Sequence, residues 1–160
     1  MFEEYDIVEE LWRTKGSFNQ HFCDKNDPNV EKGRKFYILS NGKKKIWVKE
    51  YLSDMGDIDK EYDRTIAAGM PRWTVIDGIG MCRAVRCYGK EDNKLFFEYL
   101  DYGKLSMVTH EIKCLLKLFV KEHSLTDYDL NFNNILYNDK PVELVLIDFE
   151  PAGRNPMEEL

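Results

Sequence analysis

The spacing of apolar and polar residues changes several times along this chain, and each change marks an element. Residues 1–12 place Ile7, Val8, Leu11 and Trp12 at a helix-like spacing, so a short helix is expected there. Residues 16–33, which contain Asp27-Pro28, show no clear period. The stretch FYILSNGKKKIWVKEYL reads as a β-hairpin. Its β-branched and aromatic residues flank Asn41-Gly42, a pair suited to the positive φ angles of a type I′ turn. A helix is expected over about 57–69, capped by Ser53 or Asp54 and ended by Gly69 and Pro71. Its apolar stripe is Ile58, Tyr62 and Ile66.

MCRAVRCY (81–88) and KLFFEYL (94–100) are the next strand candidates. A long helix pattern covers about 107–123. ILYN and ELVLIDF then read as short strands joined by a polar loop around Asp139-Lys140-Pro141. Strands gather early and the long helix comes late, which predicts an α+β fold.

Composition narrows the function classes. The chain has 160 residues, 43% of them hydrophobic, which fits one globular domain with a real core. A net charge of −6 argues against a general binder of nucleic acid or anionic membranes. No segment reaches the roughly 18 consecutive apolar residues that suggest a membrane-spanning helix. The four cysteines have neither zinc nor CxxC spacing, and the acidic start MFEEYDIVEE is unlike a signal peptide. A cytoplasmic protein with reduced thiols is therefore expected.

The candidate chemistry lies in DYDLNFNNIL, residues 127–136, where polar residues run directly into a strand pattern. Asn134 follows Asp129 by five residues, and Asp148 follows Asn134 by fourteen, at the end of the apolar run LVLI. A hairpin can bring an amide before one strand to the same end as a carboxylate after the next. Oxygen ligands of this kind suit Mg²⁺, which completes its shell with water and phosphate. Asp129 could then accept a proton from an incoming hydroxyl. The plainer reading of Asp129 and Asn134 is as turn and capping residues in an ordinary loop.

DLNFNNIL followed by LIDF resembles the catalytic loop and metal-binding strand of the protein-kinase-like superfamily, whose patterns are H-R-D-L-x-x-x-N and D-F-G. The wording is closer to small atypical bacterial or viral members, such as sugar, choline and lipopolysaccharide-core kinases and minimal effector kinases. By this resemblance Asp129 is the catalytic aspartate, and Asn134 and Asp148 hold Mg²⁺ or Mn²⁺. Lys49 in IWVK steadies the ATP phosphates, and Glu61 on the first helix orients Lys49. Glu98 to Leu100 form the hinge backbone that meets adenine. The implied fold is a truncated kinase-like one: an upper part over 1–97, a hinge at 98–101 and a reduced lower part over 102–160. The implied activity is ATP-dependent phosphate transfer to a hydroxyl of a protein or sugar-like acceptor. The alternative is an inactive pseudokinase that serves as a binding module.

Several positions depart from the family pattern. Asp127 stands where the family has His, and Glu150 where it has the glycine of D-F-G. No glycine-rich phosphate loop precedes the hairpin. Trp47 falls where a small residue normally meets adenine, and strand alternation points it the same way as Lys49. Only ten residues follow Glu150, so the helices that normally cover the lower part are expected to be missing. The 107–123 helix also carries more apolar surface than one layer of strands covers. A homodimer or a partner protein is therefore expected over Leu118 and Cys114.

Overall fold

The hairpin at the middle of the first sheet sets the register for everything around it. Strand β3 (Val30–Ser40) pairs antiparallel with β4 (Lys45–Tyr51), from Arg34 opposite Tyr51 to Ser40 opposite Lys45. Their connection is a four-residue loop rather than a type I′ turn. Only Gly42 takes a positive φ, +88°, and the Asn41 side chain accepts the amides of Lys43 and Lys44. Asn41 thus acts through its carboxamide, a local side-chain turn that competes with the tighter hairpin.

This computed structural model describes residues 1–14, 22–69, 74–76, 78–139 and 142–160. Pro71, Lys140 and Pro141, assigned above to a helix stop and a loop, lie outside the described residues. The chain divides into two compact units. One comprises Met1–Tyr62 with Cys87–Leu100, the other Asp63–Arg86 with Asp101–Leu160. The last division, between Leu100 and Asp101, lies inside the 98–101 segment. Residues 63–86, read from the sequence as part of the upper region, cluster with the downstream unit instead.

The first unit is a six-stranded sheet of order β2-β1-β3-β4-β8-β7, with every pairing antiparallel. Its other strands are β1 (Asp6–Thr14), β2 (Phe22–Cys23), β7 (Cys87–Glu91) and β8 (Lys94–Glu98). Residues 6–14 are therefore a strand and not the expected helix. Ile7 and Val8 remain exposed, and the strand forms by pairing with β3, a partner that local periodicity does not reveal. On one sheet face Tyr37, Ile46, Val48 and Phe96 pack together, with Phe2, Tyr5, Leu39 and Tyr88 against them. Alternation puts Phe36, Trp47, Lys49, Tyr51 and Leu95 on the opposite face.

Helix α1 (Asp57–Gly69) has the expected span but a different buried stripe. Ile58, Glu61, Thr65 and Ala68 are buried, whereas Tyr62 and Ile66 are only half-buried. The helix is turned so that a carboxylate faces inward. Asp54 contributes its backbone carbonyl to the amide of Asp57, so the start does not follow the expected side-chain cap.

The second unit is a five-stranded sheet of order β5-β6-β11-β10-β9 with helix α2. Its strands are β5 (Thr74–Ile76), β6 (Gly80–Ala84), β9 (Gly103–Lys104), β10 (Ile135–Asp139) and β11 (Val142–Leu146). The run MCRAVRCY is thus split between the two sheets. Its first half pairs parallel with β11, and its second half pairs with β8. Gly80 allows the first of these pairings, because a Cβ there would lie 2.3 Å from the Val142 carbonyl oxygen.

Helix α2 spans His110–Glu122 and starts at Thr109, whose hydroxyl caps the Ile112 amide. Met107 and Val108 therefore precede the helix and are exposed. Ile112, Leu115, Leu116, Phe119 and Val120 pack into a core with Cys82, Ala84, Ile135, Leu144 and Leu146. Cys114 and Leu118 are half-buried rather than open to solvent. Among the described residues no helix is long and apolar enough to cross a membrane.

Candidate functional site

In the first unit, β4 and α1 bring Lys49 and Glu61 together. Lys49 Nζ lies 2.8 Å from Glu61 Oε1, with Lys49 2% exposed and Glu61 1%. Strand alternation turns Lys49 to the face opposite Ile46 and Val48, and the inward stripe of α1 delivers Glu61. A buried ion pair costs several kcal/mol of desolvation per ion, and apolar residues of similar volume often serve stability as well or better. This pair also has supports that sequence reasoning missed. The Tyr51 hydroxyl donates to Glu61 Oε1, and Tyr51 is fully buried. The Arg34 guanidinium sits 3.7 Å over the Tyr51 ring and donates to the Gly33 and Ser53 carbonyls. Three charged groups, Lys49, Glu61 and Arg34, and the Tyr51 phenol are thus buried in one interlocked set.

Beside this set on the same face, Trp47 stacks on Phe36 with centroids 5.4 Å apart, and Phe22 meets Trp47 edge-on at 4.9 Å. The expected orientation of Trp47 with Lys49 is what the register produces. Glu98 and Leu100 lie at the end of β8 and just beyond it, both half-buried. Glu98 is opposite Ile46, while Leu95 is opposite Lys49.

In the second unit, the hairpin register joins the other candidates. Ile135 opposes Leu146, so Asn134 and Ile147 meet one step further out, and the Ile147 amide donates to the Asn134 carbonyl at 2.9 Å. Asn134 therefore precedes one strand and Asp148 follows the other at the same end of the hairpin. Asn134 is buried, and its Nδ2 donates to the Asp129 carbonyl at 2.8 Å. That bond fixes the amide so that its Oδ1 is left as an acceptor; no described residue donates to it. Asp148 adopts φ +63°, a conformation uncommon for a side-chain-bearing residue. Carboxylate oxygens of Asp148 and Glu150 approach within 4.8 Å of one another. Carboxylate oxygens and an amide oxygen are the hard donors that Mg²⁺ and Mn²⁺ take, so the chemistry of these residues fits such an ion.

Asp129 is fixed through both carboxylate oxygens. Asn131 Nδ2 donates to Oδ2 at 2.8 Å and Arg154 Nη1 to Oδ1 at 3.1 Å. Two residues earlier, Asp127 takes φ +52°, and its Oδ1 accepts the amides of Ala152 and Gly153. Asp127 thus ties the loop to the segment after Asp148, a local hydrogen-bonding role. Arg64 on α1 donates to the carbonyls of Thr126 and Asp127. Fully buried Tyr128 donates to the Ile147 carbonyl at 2.6 Å and approaches the Asn134 carbonyl at 3.2 Å. Burial first, and then the charge of Asp148, pushes this phenol well above its usual range, so it stays a donor.

Tyr128, Arg64 and Arg154 were missed from the sequence. Tyr128 stood within the quoted motif and carried a signal as the aromatic between two aspartates. Arg154 is the one basic residue in the last ten positions. No protein-family model matches the chain, and no curated protein matches it.

Proposed function

We propose that this chain is an ATP- and Mg²⁺-dependent phosphotransferase of minimal kinase-like type, acting on a hydroxyl of a protein or sugar-like acceptor. The observation that carries the reading is the buried Lys49–Glu61 pair. It is a costly feature for stability alone, and it joins the lysine that the resemblance assigns to phosphate binding to the glutamate that it assigns to orienting that lysine. The register of β10 and β11, which sets Asn134 and Asp148 at one end of a hairpin, supports the same reading.

In this reading Lys49 neutralises ATP phosphate charge, and Glu61 keeps the ammonium in one place. Asn134 and Asp148 would hold the metal, with Glu150 close to Asp148. Bound there, the metal would neutralise charge on the phosphate oxygens. Asp129 receives the acceptor proton. The acceptor oxygen forms a bond to the γ-phosphorus, the bond from that phosphorus to its bridging oxygen breaks, and the electron pair leaves with ADP. Positioning and charge neutralisation supply the rate.

The Trp47–Phe36–Phe22 stack favours a second reading, a pseudokinase acting as a binding module, because aromatic rings fill the face beside Lys49. A thermal titration separates the two. Under the phosphotransfer reading, millimolar ATP with Mg²⁺ raises Tm, by about 2.7 kcal/mol of stabilisation at a hundredfold excess over Kd. Asp148→Asn removes the metal-dependent part of that rise. An unchanged Tm with ATP and either Mg²⁺ or Mn²⁺ would leave the binding-module reading.

A further inference from the structure

We propose that Arg154 is a positioning residue for Asp129, delivered by a C-terminal turn that is joined to the loop at four consecutive residues; this rests on the phosphotransfer reading. The joins run in order. Asp127 accepts the amides of Ala152 and Gly153. The Tyr128 amide donates to the Arg154 carbonyl at 3.1 Å. Asp129 Oδ1 accepts from Arg154 Nη1 at 3.1 Å, and the Leu130 amide donates to Glu159 Oε2 at 2.9 Å. Pro156 is buried, and Leu160 packs against the main core, so the turn is anchored along its length.

A carboxylate torsion is broad, with two-fold symmetry and little intrinsic preference. Asn131 alone fixes one oxygen of Asp129. Arg154 fixes the other, and the two donors together leave a single orientation. That is the condition for an acceptor hydroxyl to meet the same oxygen at every encounter. The bare alternative is an ordinary surface ion pair. Arg154 is 44% exposed, and a pair of that exposure contributes little to stability. Its loss is therefore expected to change the orientation of Asp129 far more than the fold.

The turn thereby orients the residue that accepts the proton. The acceptor O–H proton passes to Asp129 while the acceptor oxygen bonds to the γ-phosphorus and ADP departs with the bridging oxygen. Nothing in that step assigns Arg154 to the nucleotide, so nucleotide affinity and turnover should separate when it is changed.

The test compares the full chain with Arg154→Ala and Arg154→Lys in Mg²⁺-dependent ATP hydrolysis, with water as the acceptor. Arg154→Ala is expected to lower kcat by about 10- to 100-fold, with KM for ATP within about twofold. Arg154→Lys, which keeps a donor and the charge, restores part of the loss. Tm stays within a few degrees of the parent. An active parent whose kcat is untouched by Arg154→Ala overturns this inference and leaves the phosphotransfer reading standing. A fall in kcat matched by lost ATP affinity and a lower Tm also overturns it, since that pattern belongs to a structural residue. A parent without Mg²⁺-dependent hydrolysis defeats the phosphotransfer reading, and the inference falls with it.

Discussion

Lys49 and Glu61 are fixed by burial on a strand and a helix, whereas Asp129, Asn134 and Asp148 are fixed by hydrogen bonds around irregular backbone. The first pair is almost without solvent and gains its precision from regular elements that could hardly place it elsewhere. The second set lies where a loop, a hairpin end and a C-terminal turn meet. Two of that unit's aspartates, Asp127 and Asp148, take left-handed backbone angles. The two arrangements store their costs differently. Buried charge costs desolvation, which mutation of one partner exposes at once. A hydrogen-bonded loop costs backbone strain and ordering, which mutation can relieve.

The largest effect should come from breaking the buried pair. Glu61→Leu leaves the Lys49 ammonium buried without its carboxylate and should cost about 3–5 kcal/mol by chemical denaturation. Lys49→Met in the same background should recover much of that loss, because two apolar groups can replace a buried pair at little cost. By contrast, Asp129→Asn removes one side of a pair with a half-exposed arginine and should cost only about 1 kcal/mol or less. If Glu61→Leu proves as mild as Asp129→Asn, the contrast between the two regions is wrong.

A smaller effect of opposite sign is expected at Asp148. Left-handed backbone costs L-residues about 1–2 kcal/mol, somewhat less for Asp, and nothing for glycine. Asp148→Gly should therefore raise stability by up to about 1 kcal/mol while abolishing any metal-dependent Tm shift with ATP. The two readouts move apart only if the strain is held for function. A variant that loses stability would show that the Asp148 side chain anchors the fold.

These contrasts also explain what could be read from the chain. Helix α1 was legible to its ends because Gly69 and the polar start bracket it, yet its buried face was not. Glu61 faces inward because Lys49 awaits it from β4, and an apolar stripe cannot foresee a charged partner. Asp129, Asn134 and Asp148 stand out in sequence by their motif spacing, whereas Lys49 and Glu61 are read only from the strand and helix patterns around them. Strand β1 was hidden because Ile7, Val8, Leu11 and Trp12 fit a helix equally well, and its pairing with β3 is not local. The split of MCRAVRCY was hidden for the same reason: parallel pairing with β11 joins residues some sixty positions apart. Arg154 gave no local sign of its contact with Asp129, which the folded C-terminal turn alone creates.

The smallest expected effect lies in that turn and depends on pH. Burial raises the Glu159 carboxyl above its usual value of 4.5, the Leu130 amide opposes the rise, the Asp129 charge adds to it and Arg154 opposes it. The folded chain thus holds this proton more tightly than the unfolded chain does. The associated stability is fully present below about pH 4.5 and is lost as pH rises through the raised folded value. At pH 7 the ionised carboxylate therefore favours unfolding. Glu159→Gln keeps an acceptor for the Leu130 amide and removes the charge. Because Glu159 is exposed and solvent screens its charge, the substitution should raise stability at pH 7 by only about a few tenths of a kcal/mol and leave it nearly unchanged at pH 4. Paired melting curves at the two pH values measure the difference. A variant destabilised at pH 7 would mean that the charge itself, through Leu130 and Arg154, holds the turn against the loop. The hydrogen-bonded region would then depend on ionisation as strongly as the buried pair does.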